Sequence, residues 1–490
     1  MPGSSKPANL SHHTDTSTEN PFQSGSAGRR RKAAVTLTAV WSGTIALHLV
    51  PGGSWVVIGL TALVGAHLVR AIFTQPMSDP EPLGEHTAHY PYISLLVAAK
   101  NEEAVIADLI KNLCSLDYPN SHYDVWLIDD SSTDKTPVIL DRLSQVYSNL
   151  NVVHRSAEAG GGKSGALNEV WPLTKAEIMA VFDADARVPA DLLRRVVPLF
   201  DQADVGAVQV RKAIANASVN FWTLAQAGEM VLDSYVQERR IASGGLGELR
   251  GNGQFVRREA IADCHGWNEE TITDDLDLTL RLHLNQWNVL HLADVAVEEE
   301  GVTGLVSLWH QRSRWAEGGY QRYLDYWRLI AQNRLGTRKT IDMVAFWMIQ
   351  YLVPTAALPD LLMAIARNRL PVLSLLTTIA TGFSLVSVTL GQRRHRSDTM
   401  ADIEPDIALA TAASSGTLSP HPTASPMQRL TRLATVLLRS LRTTLYMLHW
   451  MLVIASTSIR ISIRPKRLKW IKTVHHGSGE TDDSGILIDI

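Results

Sequence analysis

At 490 residues the chain is too long for one ordinary domain and should form two structural parts or one domain with large additions. Its 46 basic and 49 acidic residues leave a formal charge of -3, which argues against a polyanion partner such as nucleic acid. Only two cysteines occur, Cys114 and Cys264, so a disulfide framework is excluded and a reducing compartment fits.

Residues 1–32 read as a disordered tail: 1–28 are rich in Ser, Thr, Pro, Asn and His, and RRRK follows. Residues 33–75 hold two apolar runs separated by PGGS, the pattern of a transmembrane helical hairpin. The basic cluster before the first run places the tail inside, and two crossings return the chain to the cytoplasmic side. Between 90 and 320, short apolar runs such as YISLLVAAK, YDVWLIDD and EIMAVFDAD alternate with amphipathic stretches such as EEAVIADLIKNLCSL. That alternation predicts an α/β domain with a mainly parallel sheet, whose ligands bind at the carboxyl ends of the strands.

Residues 321–340, beginning QRYLDYWRLIAQ, have the spacing of an interfacial amphipathic helix. Residues 341–391 carry two more transmembrane runs, the first including Asp360. A charge at mid-bilayer costs roughly 3 kcal/mol, so Asp360 is expected near an end or against protein. Residues 392–432 read as a flexible loop, 433–465 as a membrane or interfacial helix flanked by basic residues, and 466–490 as a tail.

Five clusters carry chemistry. FDAD sets Asp183 and Asp185 one residue apart after an apolar run, where D-x-D offers oxygen ligands to a hard cation or forms a surface turn. LIDDSSTD supplies Asp129, Asp130 and Asp134, as ligand contacts or as an Asx-turn and helix cap. TITDDLDLTLRL crowds Asp274, Asp275 and Asp277 at a helix start; they either cap the helix or raise one proton affinity into the range of a general base. HQRSRW presents Gln311, Arg314 and Trp315, a phosphate fork beside an aromatic wall or a basic helix at a membrane surface. In AGGGKSG, Lys163 follows three glycines, but Ala157 stands where a P-loop needs its first glycine, so a lysine beside a diphosphate fits better than an ATPase. RGNGQF, with Asn252 and Gln254, is either a sugar-contacting loop or a turn that lets backbone approach the sheet.

The order DD, Lys, D-x-D, D-D, Q-x-x-R-W over 93–315 resembles glycosyltransferase family 2, whose inverting members have a GT-A fold and whose membrane-bound members carry Q-x-x-R-W. The resemblance implies that Glu102 of AAKNEE, Asp129 and Asp130 contact the nucleotide and that Lys163 approaches the diphosphate. It further implies that Asp183 and Asp185 present a Mg2+ or Mn2+ ion, with Asp185 its ligand. Asp275 would be the general base, with Asp274 where the family's T-E-D motif has glutamate. Gln311, Arg314 and Trp315 would close over diphosphate and acceptor. Longer strings, among them GGKSGALNEV, GAVQVRKAIANA and LWHQRSRWAEGGYQRYLDYW, are similar to cyanobacterial members that glucosylate diacylglycerol. Those imply UDP-glucose as donor, diacylglycerol in the bilayer as acceptor, and a β-glucolipid on the route to thylakoid galactolipids. A processive polysaccharide synthase shares Q-x-x-R-W and is the alternative enzyme; a decayed, non-catalytic membrane scaffold is the alternative outside catalysis.

Overall fold

The computed structural model describes residues 22–84, 89–394 and 426–464. Most of the tails and of the Ser/Thr/Pro-rich loop expected at 392–432 lie outside them.

Seven strands form one sheet: β1 (Ile93–Ala99), β2 (Tyr123–Asp129), β3 (Leu150–His154), β4 (Ile178–Phe182), β5 (Val205–Ile214), β6 (Gln254–Arg257) and β7 (Asn288–Glu299). Their order is β3-β2-β1-β4-β6-β5-β7. β6 alone runs antiparallel to its neighbours, giving the mainly parallel GT-A-like sheet that was expected. β4, IMAVF, is buried at every position, as a central parallel strand covered on both faces must be. Along β1 the alternation of strand side chains sends Leu95 and Val97 into one core, with Ile110 and Phe182, and Leu96 into another, with Leu167 and Leu278. Helix α1 (Arg29–Leu49) and helix α2 (Gly53–Phe73) precede the sheet. The first layer helix, α3 (Ile106–Leu113), buries Ile106, Leu109, Ile110 and Leu113, the stripe that its amphipathic spacing dictates.

Further helices cover the sheet or carry the site: α4 (Thr136–Ser144), α5 (Gly162–Val170), α6 (Leu192–Val196), α7 (Phe221–Ala242), α8 (Arg258–Asp263), α9 (Asp274–Leu284) and α10 (Leu305–Ala331). After them come α11 (Thr337–Trp347), α12 (Val353–Ala366), α13 (Ser374–Arg394), α14 (Pro426–Met447) and α15 (His449–Ile463).

Among the described residues four helical stretches are long and apolar enough to cross a membrane: Gly53–Phe73, Thr337–Ala366, Ser374–Arg394 and Ala434–Ile463. α1 is not one of them; its Trp41 donates to the Thr355 carbonyl at 3.0 Å and Val40 packs with Val57 and Ala356. α1 also begins at Arg29 rather than Ala33, because Arg29 is buried, with its guanidinium on the Asp325 carboxylate at 2.8 Å and 2.9 Å. The QRYLDYWRLIAQ stretch does not start a separate helix. It completes α10, and Gln321, Arg322, Leu324 and Tyr326 are buried by protein, leaving Trp327 exposed. Asp360 is enclosed by protein: it pairs with His48 at 2.7 Å and accepts from the Val372 and Leu373 amides at 2.8 Å and 3.0 Å. A π-helical turn, Met348–Leu352, joins α11 to α12. Pro354 follows it; a ring without an N–H cannot continue the i to i−4 ladder, so the turn widens there.

Candidate active site

Parallel strands deliver their carboxyl ends to one edge of the sheet. There β1 is followed by Glu102, β4 by Asp183 and Asp185, and β7 ends at Glu299, all on the wall of a single cavity of about 800 Å³. Lys163, in the first turn of α5, is on the same wall, as are Asp274 and Asp275 from α9 and Gln311, Arg314 and Trp315 from α10. Acids and bases separated by more than 200 positions in sequence thus converge. Asp129 and Asp130 are not on that wall. Asp129 pairs with His154 at 3.0 Å and accepts from the Ser132 amide at 3.0 Å, while Asp130 pairs with Arg155 at 2.5 Å.

Lys163 donates to Asp183 Oδ1 at 2.5 Å. Burial works to lower its pKa, but the carboxylates of Asp183, Asp274 and Asp275 outweigh burial and hold the ammonium charged. Arg314 is less favoured as a cation: burial lowers its pKa and Asp183 only partly compensates. Asp185 accepts from the Glu300 amide at 2.8 Å. Among the described residues no group of three or more His, Cys, Asp or Glu side chains is arranged to hold a metal by itself.

The three acids that open α9 have separate tasks. Asp277 is buried against Arg281 at 2.6 Å, Tyr326 at 2.7 Å and Asn268 at 3.0 Å, so it fixes the helix. Asp274 and Asp275 face the cavity. Burial first, and the neighbouring Asp274 carboxylate second, push Asp275 up to about 6. Its Oδ1 accepts from the Leu276 amide at 2.8 Å, the helix N-terminus that partly offsets both effects.

RGNGQF is a backbone device. Asn252 and Gln254 are fully buried, off the cavity wall, and Gly251 and Gly253 adopt φ of 83° and 70°. Asn252 Oδ1 accepts from the Asp183 amide at 3.2 Å, so the loop steadies D-x-D.

Several residues of the site have no motif to announce them. Lys212, at the end of β5, pairs with Glu299 at 2.7 Å and lies 5.5 Å from the Trp315 ring centre. Arg312, between the named positions of Q-x-x-R-W, is wholly buried. It donates to Gln311 Oε1 at 2.8 Å and to Glu229 Oε2 at 2.6 Å, and its guanidinium is 4.0 Å from the Trp315 ring centre. Arg250 pairs with Asp233 at 2.7 Å and Glu248 at 2.6 Å. The available signal was a basic residue at a strand end or beside a motif, which sequence alone does not separate from a surface charge.

Residues 91–318 match the model of a glycosyltransferase like family 2. A β-monoglucosyldiacylglycerol synthase from Nostoc sp. is 55% identical over 466 residues, 95% of this chain and 92% of that protein. The protein of the same name from Synechocystis sp. is 51% identical over 463 residues, 94% of this chain and 91% of that protein. Among solved structures, a mannosyltransferase from Pyrobaculum calidifontis in complex with GDP-Man and Mn2+ is 20% identical with a TM-score of 0.49, covering 84% of this chain and 99% of that one.

Proposed function

The chain belongs to the β-monoglucosyldiacylglycerol synthase family of glycosyltransferases, and from that premise we propose that it transfers glucose from UDP-glucose to 1,2-diacylglycerol with inversion, giving β-monoglucosyldiacylglycerol. The observation that carries the reading is the single cavity whose wall includes Lys163, Asp183 and Asp275 at one end and membrane-helix residues such as Thr381 and Met451 at the other. A nucleotide sugar and a lipid alcohol need such a meeting place.

Asp275 takes the proton of the acceptor hydroxyl, and that oxygen attacks the anomeric carbon from the face opposite the UDP. The α-linked donor therefore yields a β-glycoside. A carboxylate raised to about 6 is charged at neutral pH yet more basic than an ordinary aspartate, which suits this role. Lys163 and Arg314 bring positive charge to the place where the leaving diphosphate gathers negative charge. Trp315, held from behind by Arg312, walls the acceptor side. Glu102 and Gln311 complete the donor contacts on the cavity wall in this reading; Asp129 and Asp130 lie off that wall and would contact the nucleotide where it extends past the wall towards β2.

The carboxylates of Asp183 and Asp185, with Glu299 on the same wall, are hard oxygen donors of the kind Mg2+ or Mn2+ takes. With only these side chains to hand, such an ion would complete its shell with donor oxygens. When bound it would supply charge neutralisation to the diphosphate. Four long apolar helical stretches among the described residues support the reading of a multi-pass protein of the plasma or thylakoid membrane with its catalytic domain cytoplasmic.

Incubating the purified protein with labelled UDP-glucose or UDP-galactose, diacylglycerol and magnesium tests the reading. One β-linked glucose per lipid is expected. A long glucan would replace it with a processive synthase, and no metal-dependent transfer would remove it.

A further inference from the structure

The cavity does not stop at the catalytic acids. It continues between α7 and the apolar helices α13 to α15, where α7 contributes Met230, α13 contributes Thr377, Thr381 and Phe383, α14 contributes Met447 and α15 contributes Met451. On α13 the lining positions Thr377, Ala380, Thr381 and Ser384 are three, four and seven residues apart, a single helix face made of small side chains. Two of its hydroxyls are turned to the helix itself: Thr377 Oγ1 donates to the Leu373 carbonyl at 3.1 Å and Thr381 Oγ1 to the Thr377 carbonyl at 2.9 Å. What these threonines add to the wall is therefore mainly methyl surface. Opposite them stand methionines, unbranched side chains that repack around irregular or variable apolar guests.

The two ends of the cavity thus differ in chemistry. The sheet end carries the charges of the reaction, and the charged groups farther along are paired among themselves: Arg250 with Asp233 and Glu248, Arg240 and Arg322 with Glu248, and Arg312 with Glu229. A growing carbohydrate chain would need hydroxyl partners and aromatic platforms; Trp450, Tyr351, Gln350 and Thr444 are of that kind, whereas methionines, aliphatic side chains and Phe383 make up much of the rest of the limb. An acyl chain needs only apolar surface. The size of the cavity adds a constraint. About 800 Å³ is within the roughly 300–1,000 Å³ that encloses one ligand of drug size, too little for a nucleotide sugar and a whole two-chain lipid.

We infer that the limb between α7, α13, α14 and α15 is an acyl-chain slot: it takes the glycerol-proximal part of one acyl chain of the acceptor and leaves the remainder in the bilayer. This rests on the lipid-acceptor reading above and deepens it. The slot aims the free hydroxyl of the glycerol at Asp275 by holding the chain next to it. Because methionine and small residues line it, it selects for the presence of an acyl chain more than for its pattern of unsaturation.

The test uses the full-length protein in nanodiscs with UDP-glucose and two acceptors, dioleoylglycerol and diacetylglycerol, whose two-carbon chains are too short to occupy the slot. Thr381→Trp fills the slot with a ring. We expect the ratio of kcat/KM for the long-chain over the short-chain acceptor to fall by at least about tenfold, the scale set by misfit in an apolar pocket. An unchanged ratio overturns the slot while leaving the proposed activity standing. Failure of the unaltered protein to glucosylate either acceptor overturns the activity itself. Should Thr381→Trp not fold, a diacylglycerol carrying a diazirine near the start of one chain is photolysed with the unaltered protein. Labelling of peptides from α13 or α15 supports the slot, and labelling confined to the lipid-facing residues of α2 overturns it.

Discussion

Thr273 sits in a notch that Gly318 leaves in α10: a Cβ built on that glycine would overlap the threonine Oγ1 and Cγ2. The loop that delivers Asp275 is thereby seated on the helix that carries Gln311, Arg314 and Trp315. Gly319 does the same for the Tyr351 hydroxyl in the π-helical turn.

Gly318→Ala should therefore slow turnover by displacing the general base. A misplacement of about 1 Å can cost on the order of 10²-fold in rate, and a drop of that order in kcat is expected. Alanine favours a helix over glycine by roughly 1 kcal/mol, so thermal stability should hold up while activity falls. Thr273 Oγ1 is buried without a hydrogen-bond partner, so adding Thr273→Gly sacrifices none and removes all three side-chain atoms that the new Cβ would meet. The double variant should recover much of the lost kcat; no recovery would show that the notch is not what Gly318 provides.

Asp275→Asn removes the base and keeps the shape. General base catalysis is worth about 10²- to 10⁴-fold, and the loss in kcat should fall in the upper part of that range. UDP binding, measured by calorimetry, should be near that of the unaltered protein. Turnover close to normal would refute the assignment.

The acid limb of the pH profile follows from the same group. Asp275 works as a base only when deprotonated, and its pKa is pushed up to about 6. kcat/KM should thus fall as pH drops through about 6. Burial is the larger cause and Asp274 the second, so Asp274→Asn should shift the limb to lower pH by removing only the second. A limb that stays in place would mean that the profile reports another group.

How much of this was legible in the sequence varies with the range over which each feature is encoded. Apolar strands and amphipathic helices are local patterns, so the alternation behind the mainly parallel sheet could be read directly. β6 could not: four residues, QFVR, after a glycine-rich turn do not differ in pattern from a loop, and their strand state comes from pairing with β4 and β5. Asp183, Asp185, Lys163 and Asp275 stand at strand ends or helix starts, where composition announces them. Lys212, Glu229, Arg250 and Arg312 do not, because each is defined by a partner far away in the chain. The π-helical turn was also hidden, since Pro354 alone predicts a break or kink but not its form. Arg29 read as a membrane-flanking charge, and only the distant Asp325 makes it a buried anchor.

On the proposed reading, metal dependence would be centred on Asp185 and Asp183. Chelation should abolish transfer, and Mg2+ or Mn2+ should restore it. Changes to residues that merely orient metal ligands cost about 10–100-fold, so Asp185→Ala should weaken metal-dependent donor binding by at least that much. In the structure Asp183 is held by Lys163, which means the ammonium and a cation compete for its Oδ1. Lys163→Met should consequently raise the affinity for the metal alone while lowering that for UDP-glucose. Titration of both ligands by calorimetry separates the two effects, and a fall in both would contradict the competition.

Arg312 is paired with a carboxylate that three other helices share, and that makes its loss expensive in a specific way. Its guanidinium donates to Gln311 and to Glu229, and Glu229 also accepts from Tyr446 at 2.9 Å and Trp450 at 2.9 Å. Helices α7, α10, α14 and α15 are thereby joined at one carboxylate. Removing one partner of a buried pair leaves the other charge uncompensated, at about 3–5 kcal/mol. Arg312→Met should lower stability by that order and reduce kcat, because Gln311 and Trp315 lose their support. Glu229→Gln can keep its oxygen as acceptor for Trp450 but turns an NH2 donor towards Tyr446 and Arg312 and leaves the Arg312 charge unpaired, so it should cost about as much as Arg312→Met. Combining Arg312→Met with Glu229→Gln removes both charges, so the double variant should be more stable than the sum of the single losses by roughly 0.5–3 kcal/mol. Unfolding in detergent by heat or denaturant measures each term, and strict additivity would show that the two residues do not act as a pair.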